Sequence, residues 1–300
     1  MHEGFLRVTS WINTRMIELA PNHKRGLVLN NPVMNAAGVL GFGAEYRGLI
    51  DFSMLGAFVT NPLTFSARTP AAPPNAVSLP EGVLIHTGLP NPGVRAALRR
   101  YARDWVRMDC PVIVHLAATT VSNVRRSVEW LEREDRVSGL ELGVRDEVKA
   151  DELVVMIRAA VGSLPVIVRL PLLRAAELGA AAVRAGADAL TVGAAVRTSP
   201  PVPLSKRQNA RLGEGEPHAP EDKQKLVGRL YGPDQFGVTL EAVQAVIAQN
   251  PGVPIIGAGG IFSVENARAM LEAGAVAVQV DAAVWNDPPF LARLATAIQS

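Results

Sequence analysis

The stretch VPIIGAGGIFSVENARAMLEAGAVAVQVDAAVW, residues 253–285, constrains the fold more than any other. It reads as a buried strand, a Gly-rich turn, an amphipathic helix and a second buried strand. A turn of that kind, opening a helix, commonly seats a phosphate on backbone N–H groups. The second strand runs directly into Asp281, where a second phosphate-binding turn is expected. The same strand–helix alternation fills the chain. Candidate strands are Val33–Ala37, Ala57–Thr60, Val112–Leu116, Gly139–Leu142, Val166–Leu170, Ala189–Val192, Pro254–Gly257 and Ala277–Val280. Most are apolar without alternation, the pattern of strands covered on both faces. Helical period falls near 44–52, 92–108, 121–134, 151–162, 173–185, 238–249, 263–273 and 288–299. The repeated AGA at 185–187 and 273–275 closes a helix and opens a strand, with Gly as the residue after the helix end. Eight β/α units in 300 residues predict an α/β fold of the (β/α)8 TIM-barrel type in one domain, with a doubly wound sheet as the alternative.

Two regions break the rhythm. Residues 62–92 are rich in Pro and Ala with little helical period, and read as a long excursion between the second strand and its helix. Residues 197–227, RTSPPVPLSKRQNARLGEGEPHAPEDKQKLV, are polar and Pro-rich and follow the sixth strand, on the face where barrel active sites lie. That insertion is either a lid or a disordered segment. Residues 1–30 precede the barrel at 31–300, and MIELA with GLVLN predict a small hairpin plugging its bottom.

Partners are narrowed by charge. A net charge of +2 without a basic run argues against nucleic acid. The lone Cys110, read as a small buried residue below the third strand, excludes an internal disulfide framework and suits a reducing cytosol. No apolar run approaches the ~20 residues of a membrane span, and the N-terminus lacks a signal-peptide core. These features predict a cytoplasmic protein. No Cys/His spacing suggests a metal site.

Several motifs carry a resemblance. LVLNNPVMNAAGVLGFGAEYRGLIDFSMLGAFVT at 27–60, TGLPNPGV at 87–94, GRLYGPDQFGVTLEAV at 228–243 and the 253–280 stretch occur in order and at compatible spacing. They are similar to L-x-NP, ASG and LGA, to IGLQNPG, to GGLSGPAIKPIAL and to the last two strands of class 1 dihydroorotate dehydrogenases. Within that family the chain most resembles the subclass that partners an iron–sulfur flavoprotein. The resemblance spans residues 16–300 and implies a barrel with FMN across its top. Dihydroorotate stacks on the flavin, a Cys or Ser after the fourth strand takes a proton, and hydride goes to the flavin. It also implies a homodimer, with a homologous or electron-transfer subunit as a further partner. Carried onto this chain, the FMN-binding positions are Ala36, Ala37, Gly38, Asn61, His115, Arg169, Gly232, Gly259, Gly260, Asp281 and Ala282. The substrate positions are Asn91, His115 and Arg145, and the catalytic ones Asp146 and Arg169.

The residues at those positions depart from the pattern. The family's LNISCPN is LGVRDEV at 142–148, so Gly143 stands for a pyrimidine-binding Asn, Asp146 for the catalytic Cys and Val148 for a second Asn. Other amides become Ile85, His115 and Ala194, and the flavin-facing lysines become Asn61 and Arg169. A planar pyrimidine bound without those amides leaves polar groups unpaired, at ~1–3 kcal/mol each. VGTA becomes VDAA at 280–283, which puts the Asp281 carboxylate where backbone N–H groups meet the FMN phosphate. The expectation is a lineage member without standard dihydroorotate oxidation, in which Asp281 occupies the anion seat. The alternatives are a cofactor-free barrel that binds a small anion at Arg169 and His115, and a non-catalytic scaffold subunit. His115, Glu141 and Arg169 fall near the ends of adjacent strands and read either as an anion site or as a structural Glu–Arg pair with His packed against it. Arg145, Asp146 and Glu147 read either as a new acid/base set or as a solvated charged loop.

Overall fold

The apolar runs pair into one parallel sheet that closes on itself. The computed structural model describes residues 16–193, 195–198 and 227–299. Its strands begin with β1 (Ile17–Glu18), β2 (Val28–Leu29), β3 (Val33–Asn35), β4 (Phe58–Val59), β5 (Ala76–Leu79), β6 (Gly82–Ile85) and β7 (Val112–Ala117). There follow β8 (Val137–Gly143), β9 (Val166–Leu170), β10 (Ala189–Val192), β11 (Val196–Thr198), β12 (Gly228–Tyr231), β13 (Ile255–Ala258) and β14 (Ala277–Val280). The main sheet runs β3-β14-β13-β10-β9-β8-β7-β4, which contains all eight strands expected from the sequence. A parallel bridge between Met34 and Ala57 joins its two ends. The fold is therefore a closed (β/α)8 barrel and not a doubly wound sheet.

The β3–β4 seam has few ladder bonds, and a side chain reinforces it. Asn35 Nδ2 donates to the Val59 carbonyl at 2.6 Å, and Asn35 Oδ1 accepts from the Val59 N–H at 3.0 Å. Asn35 is fully buried. Asn35→Ala leaves both Val59 groups without these bonds and is expected to cost about 2–4 kcal/mol of stability, measured by urea unfolding. A loss within experimental error would show that the seam does not need the amide.

The helices are α1 (Val94–Trp105), α2 (Val121–Leu131), α3 (Ala150–Ala160), α4 (Ala175–Ala185), α5 (Gln235–Ala248), α6 (Val264–Glu272), α7 (Ala283–Asn286) and α8 (Phe290–Gln299). Thr120 and Ser263 cap α2 and α6 by accepting the N–H of Asn123 and Asn266. Gly186 and Gly274 follow α4 and α6 with φ of +111° and +107°, as the AGA repeats predict. The expected helix near 44–52 is not formed. Gly43 and Gly48 take φ of +89° and +80°, and the segment holds only short 3-10 turns at Ala44–Tyr46 and Phe52–Met54. The expected terminal helix at 288–299 forms as α8, and the short α7 precedes it.

The excursion at 62–92 has structure of its own. Its β5 and β6 form a hairpin that pairs with β12, giving an antiparallel sheet in the order β11-β12-β6-β5. Gly232 serves this cap, because a Cβ there would strike the Glu81 carbonyl. The insertion expected at 197–227 begins inside β11, and its residues 199–226 lie outside the described residues. The N-terminal hairpin β1–β2 is present, while residues 1–15 of the extension lie outside the described part. Among the described residues no helix is long and apolar enough to cross a membrane.

The barrel interior has two layers. Leu19, Leu27 and Leu29 of the hairpin region pack with Met34, Ile113, Ile167, Ala189, Ile256 and Ala277 in a buried cluster that fills the bottom. Side chains on a strand repeat their direction every second residue. His115, Arg169, Thr191 and Gln279 each follow one of these residues by two positions, so they form a second layer above it.

Candidate functional site

The second layer is organised around Glu141, which is fully buried on β8. Its Oε2 lies 2.6 Å from His115 Nδ1. Its Oε1 accepts from Thr191 Oγ1 at 2.8 Å and from Gln279 Nε2 at 2.7 Å. Arg169 Nη1 donates to Gln279 Oε1 at 2.9 Å and stands 3.9 Å from Glu141 Oε2. Burial by itself raises a carboxyl pKa. Here the hydrogen bond and charge of His115, the charge of Arg169 and the Gln279 amide outweigh it and hold Glu141 at about 2. An ionised carboxylate only accepts hydrogen bonds, so the His115 Nδ1 carries a proton. The strand register makes the cluster: His115 is opposite Glu141, and Thr191 is opposite Arg169. Gly143 completes it, because a Cβ there would run into His115 Nε2. Gly143 and the His115 imidazole thus share one space.

A cavity of about 400 Å³ opens above this layer. Four arginines line it, Arg68, Arg145, Arg169 and Arg229, against the single carboxylate of Asp146. Asp146 accepts from Arg229 Nη2 at 3.0 Å, and Arg229 Nη1 also donates to the Ala195 carbonyl at 2.8 Å. Arg145 pairs with Glu152 at 2.7 Å, and Glu147 with Arg197 at 2.9 Å. All three charged residues of the 145–147 loop are therefore held in rim ion pairs.

Next to the cavity lies the turn expected to seat a phosphate. Gly259 and Gly260 keep φ of +96° and +71°, and a Cβ on Gly260 would strike the backbone nitrogen of Phe236 at the start of α5. Close packing alone is thus a reason for that glycine. Asp281 is buried, 3% exposed, and its Oδ1 accepts the Ala282 N–H at 2.7 Å. Burial pushes its carboxyl above the usual range, while the N–H groups of Ala282, Asp281 and Gly260 and the charge of Arg169 pull it back. The Ala282 N–H at this turn is engaged by a carboxylate of this chain, and the Gly259 N–H by the Gln279 carbonyl at 3.3 Å. Tyr231, where the family motif has Ser, sits in the same region; burial and the Asp281 charge raise its phenol. An anion at this turn meets the buried Asp281 carboxylate.

The remaining expected residues are placed as follows. Ala37 lines the cavity, and Ala36 donates its N–H to the Val280 carbonyl at 2.8 Å. Gly38 takes φ of +93° beside the Pro62 ring. Asn61 Oδ1 is buried without a hydrogen-bond partner among the described residues. Asn91 spends its amide inside the 64–93 loop, on Thr64, Leu89 and Gly93, and does not line the cavity. Ala194 lies outside the described residues. Burial pushes the Cys110 thiol up to about 12, as suits an inert residue. Sequence reasoning missed Gln279, Thr191, Arg68 and Tyr231. The first two had a signal: each is the polar residue in an otherwise apolar strand, two places beyond an inward apolar residue. Among the described residues no group of three or more His, Cys, Asp or Glu is arranged to hold a metal ion.

Comparison with known proteins agrees with this architecture. The family model described as dihydroorotate dehydrogenase matches residues 22–300. The catalytic subunit of dihydroorotate dehydrogenase B (NAD(+)) of Geotalea daltonii is 32% identical over 289 residues, covering 91% of this chain and 90% of the relative. The protein of that name from Desulforudis audaxviator is 32% identical, covering 91% and 89%. That from Halalkalibacterium halodurans is 30% identical, covering 88% and 86%. With a barrel of the expected topology and a match over nearly its whole length, the chain belongs to the dihydroorotate dehydrogenase family.

Proposed function

We propose that this chain is a divergent family member that binds a small carboxylate-bearing molecule at its arginine-lined mouth and does not carry out dihydroorotate oxidation. The observation that carries this reading is the buried Asp281 carboxylate at the phosphate turn, bonded to the Ala282 N–H. Oxidation needs a hydride acceptor held against the substrate, and the family's acceptor is FMN. Two further features support the reading. Asp146, at the position of the proton-abstracting Cys, is paired with Arg229. Ile85, Gly143 and Val148 offer no side-chain amide for a pyrimidine. A net excess of arginine in a half-open cavity favours a small anion.

The competing reading is an FMN-dependent oxidoreductase acting on the CH–CH group of dihydroorotate, in pyrimidine biosynthesis. The preserved Gly259–Gly260 turn and the charge of Arg169 favour it. Dihydroorotate with added FMN and either a dye or fumarate separates the two. No reduction above background is expected. Turnover at ordinary enzyme rates, about 1 s⁻¹ or faster, would overturn the proposal.

The relatives are named as catalytic subunits, which implies a partner subunit in the family. A homodimer, alone or joined by an electron-transfer subunit, is the matching proposal here, and native mass spectrometry tests it. A cytoplasmic location belongs to the same proposal.

A further inference from the structure

The anion reading leaves one edge of His115 unused. Nδ1 faces Glu141, whose other oxygen is fixed by Thr191 and Gln279. In the neutral imidazole the proton sits on Nδ1 and the lone pair on Nε2. Nε2 has no hydrogen-bond partner among the described residues and is not sealed off in the interior. It lies over Gly143, where no side chain covers it, and both residues line the cavity. Arg169 and Arg229 line the same space. A buried carboxylate that fixes an imidazole tautomer, an open Nε2 and nearby cations are the parts of a proton-transfer site.

We propose that His115, oriented by Glu141, is a general base toward a small oxo-carboxylic acid whose carboxylate is held by the mouth arginines. The base removes a proton from the carbon next to the carbonyl. The C–H bond breaks, the proton goes to Nε2, and the electron pair moves into the carbonyl to leave an enolate oxygen. The arginine charges stabilise that oxygen. Return of a proton from His115 to carbon restores the acid, and no oxidant or reductant is consumed. His115 is the catalytic residue, and Glu141 is a positioning residue. The inference rests on the reading of the mouth as an anion site.

The test is solvent exchange in D2O, with 2-oxobutyrate as first probe and oxaloacetate and dihydroorotate as second and third. Proton NMR follows the signal of the carbon next to the carbonyl, and calorimetry follows binding separately. Exchange above the protein-free rate is expected for at least one probe. His115→Asn, which installs the family's residue, is expected to lower it by about a hundredfold or more while binding is kept. Glu141→Gln is expected to lower exchange with binding kept, and Glu141→Asp to retain part of it. If Glu141→Gln does not fold, His115→Asn carries the test. Binding without exchange, or exchange unchanged in His115→Asn, overturns the base and leaves the anion mouth standing. Failure of all three acids to bind overturns the mouth reading and the base with it.

Discussion

Replacing Asp281 with glycine is expected to raise the affinity for FMN by about a hundredfold or more. A carboxylate ~5 Å from a phosphate dianion is repelled by roughly 6–7 kcal/mol at an effective dielectric of ~20. Arg169 and solvent offset part of that, but even half of it exceeds two decades of affinity at ~1.4 kcal/mol per decade. Glycine also frees the Ala282 N–H that the carboxylate engages. Asp281→Asn should gain less, since it removes the charge and keeps the bulk. The gap between the unmodified protein and Asp281→Gly should widen as pH rises, because repulsion exists only once Asp281 ionises above its raised pKa. Linkage has the same sign for folding. A carboxyl whose folded pKa is raised contributes stability that is full below its unfolded value and is lost as pH rises through the folded one. Asp281→Asn is therefore expected to be at least as stable as the unmodified protein at neutral pH. Flavin-fluorescence titrations of the three proteins at one salt concentration measure the affinities. Stoichiometric FMN in the unmodified protein, or no gain in Asp281→Gly, would show that the carboxylate does not plug the turn.

Glu141→Gln is expected to cost about 3–5 kcal/mol of stability. The substitution keeps the shape but removes the charge that opposes Arg169. It also puts an NH2 group where the carboxylate accepted from His115, or from Thr191 and Gln279. One donor then faces another at Gln279, or His115 must shift its ring proton to Nε2 to accept. The pH dependence follows from the same residue. Its folded value of about 2 lies below the ordinary 4.5, so its contribution is full above pH 4.5 and is lost as pH falls toward 2. A shift of that size corresponds to roughly 3 kcal/mol. Urea unfolding from pH 6 down to pH 2.5 should show this acid loss in the unmodified protein and a flatter course in Glu141→Gln. Parallel curves for the two proteins would place the acid sensitivity elsewhere.

The elements of the barrel were legible in the sequence because their signals are local. An apolar run of strand length, a helical period and a Gly after a helix are each written within a dozen residues, and all eight barrel strands formed where those signals stand. The failures are local too, in the opposite sense. The glycines at 43 and 48 break a stretch that otherwise looks helical, and the Pro-rich flanks of β5 and β6 hide a hairpin that pairs with the distant β12. Part of the site was also readable: Asp281 after an apolar strand, and His115, Glu141 and Arg169 at neighbouring strand ends. Their relations were not. Glu141 meets Gln279 only because the barrel closes and brings β8 and β14 to face each other across its interior. Gly143 is open because of an imidazole on the next strand. Asp281 stands beside Gly260 because the register of β13 against β14, Ala258 opposite Gln279, sets two turns side by side. Residue types and strand periodicity thus determined which groups stand on the inner face near the mouth. Which of them pair, and which edge of His115 stays open, was decided by ring closure and register, since hydrogen bonds depend on distances through space that no local pattern encodes.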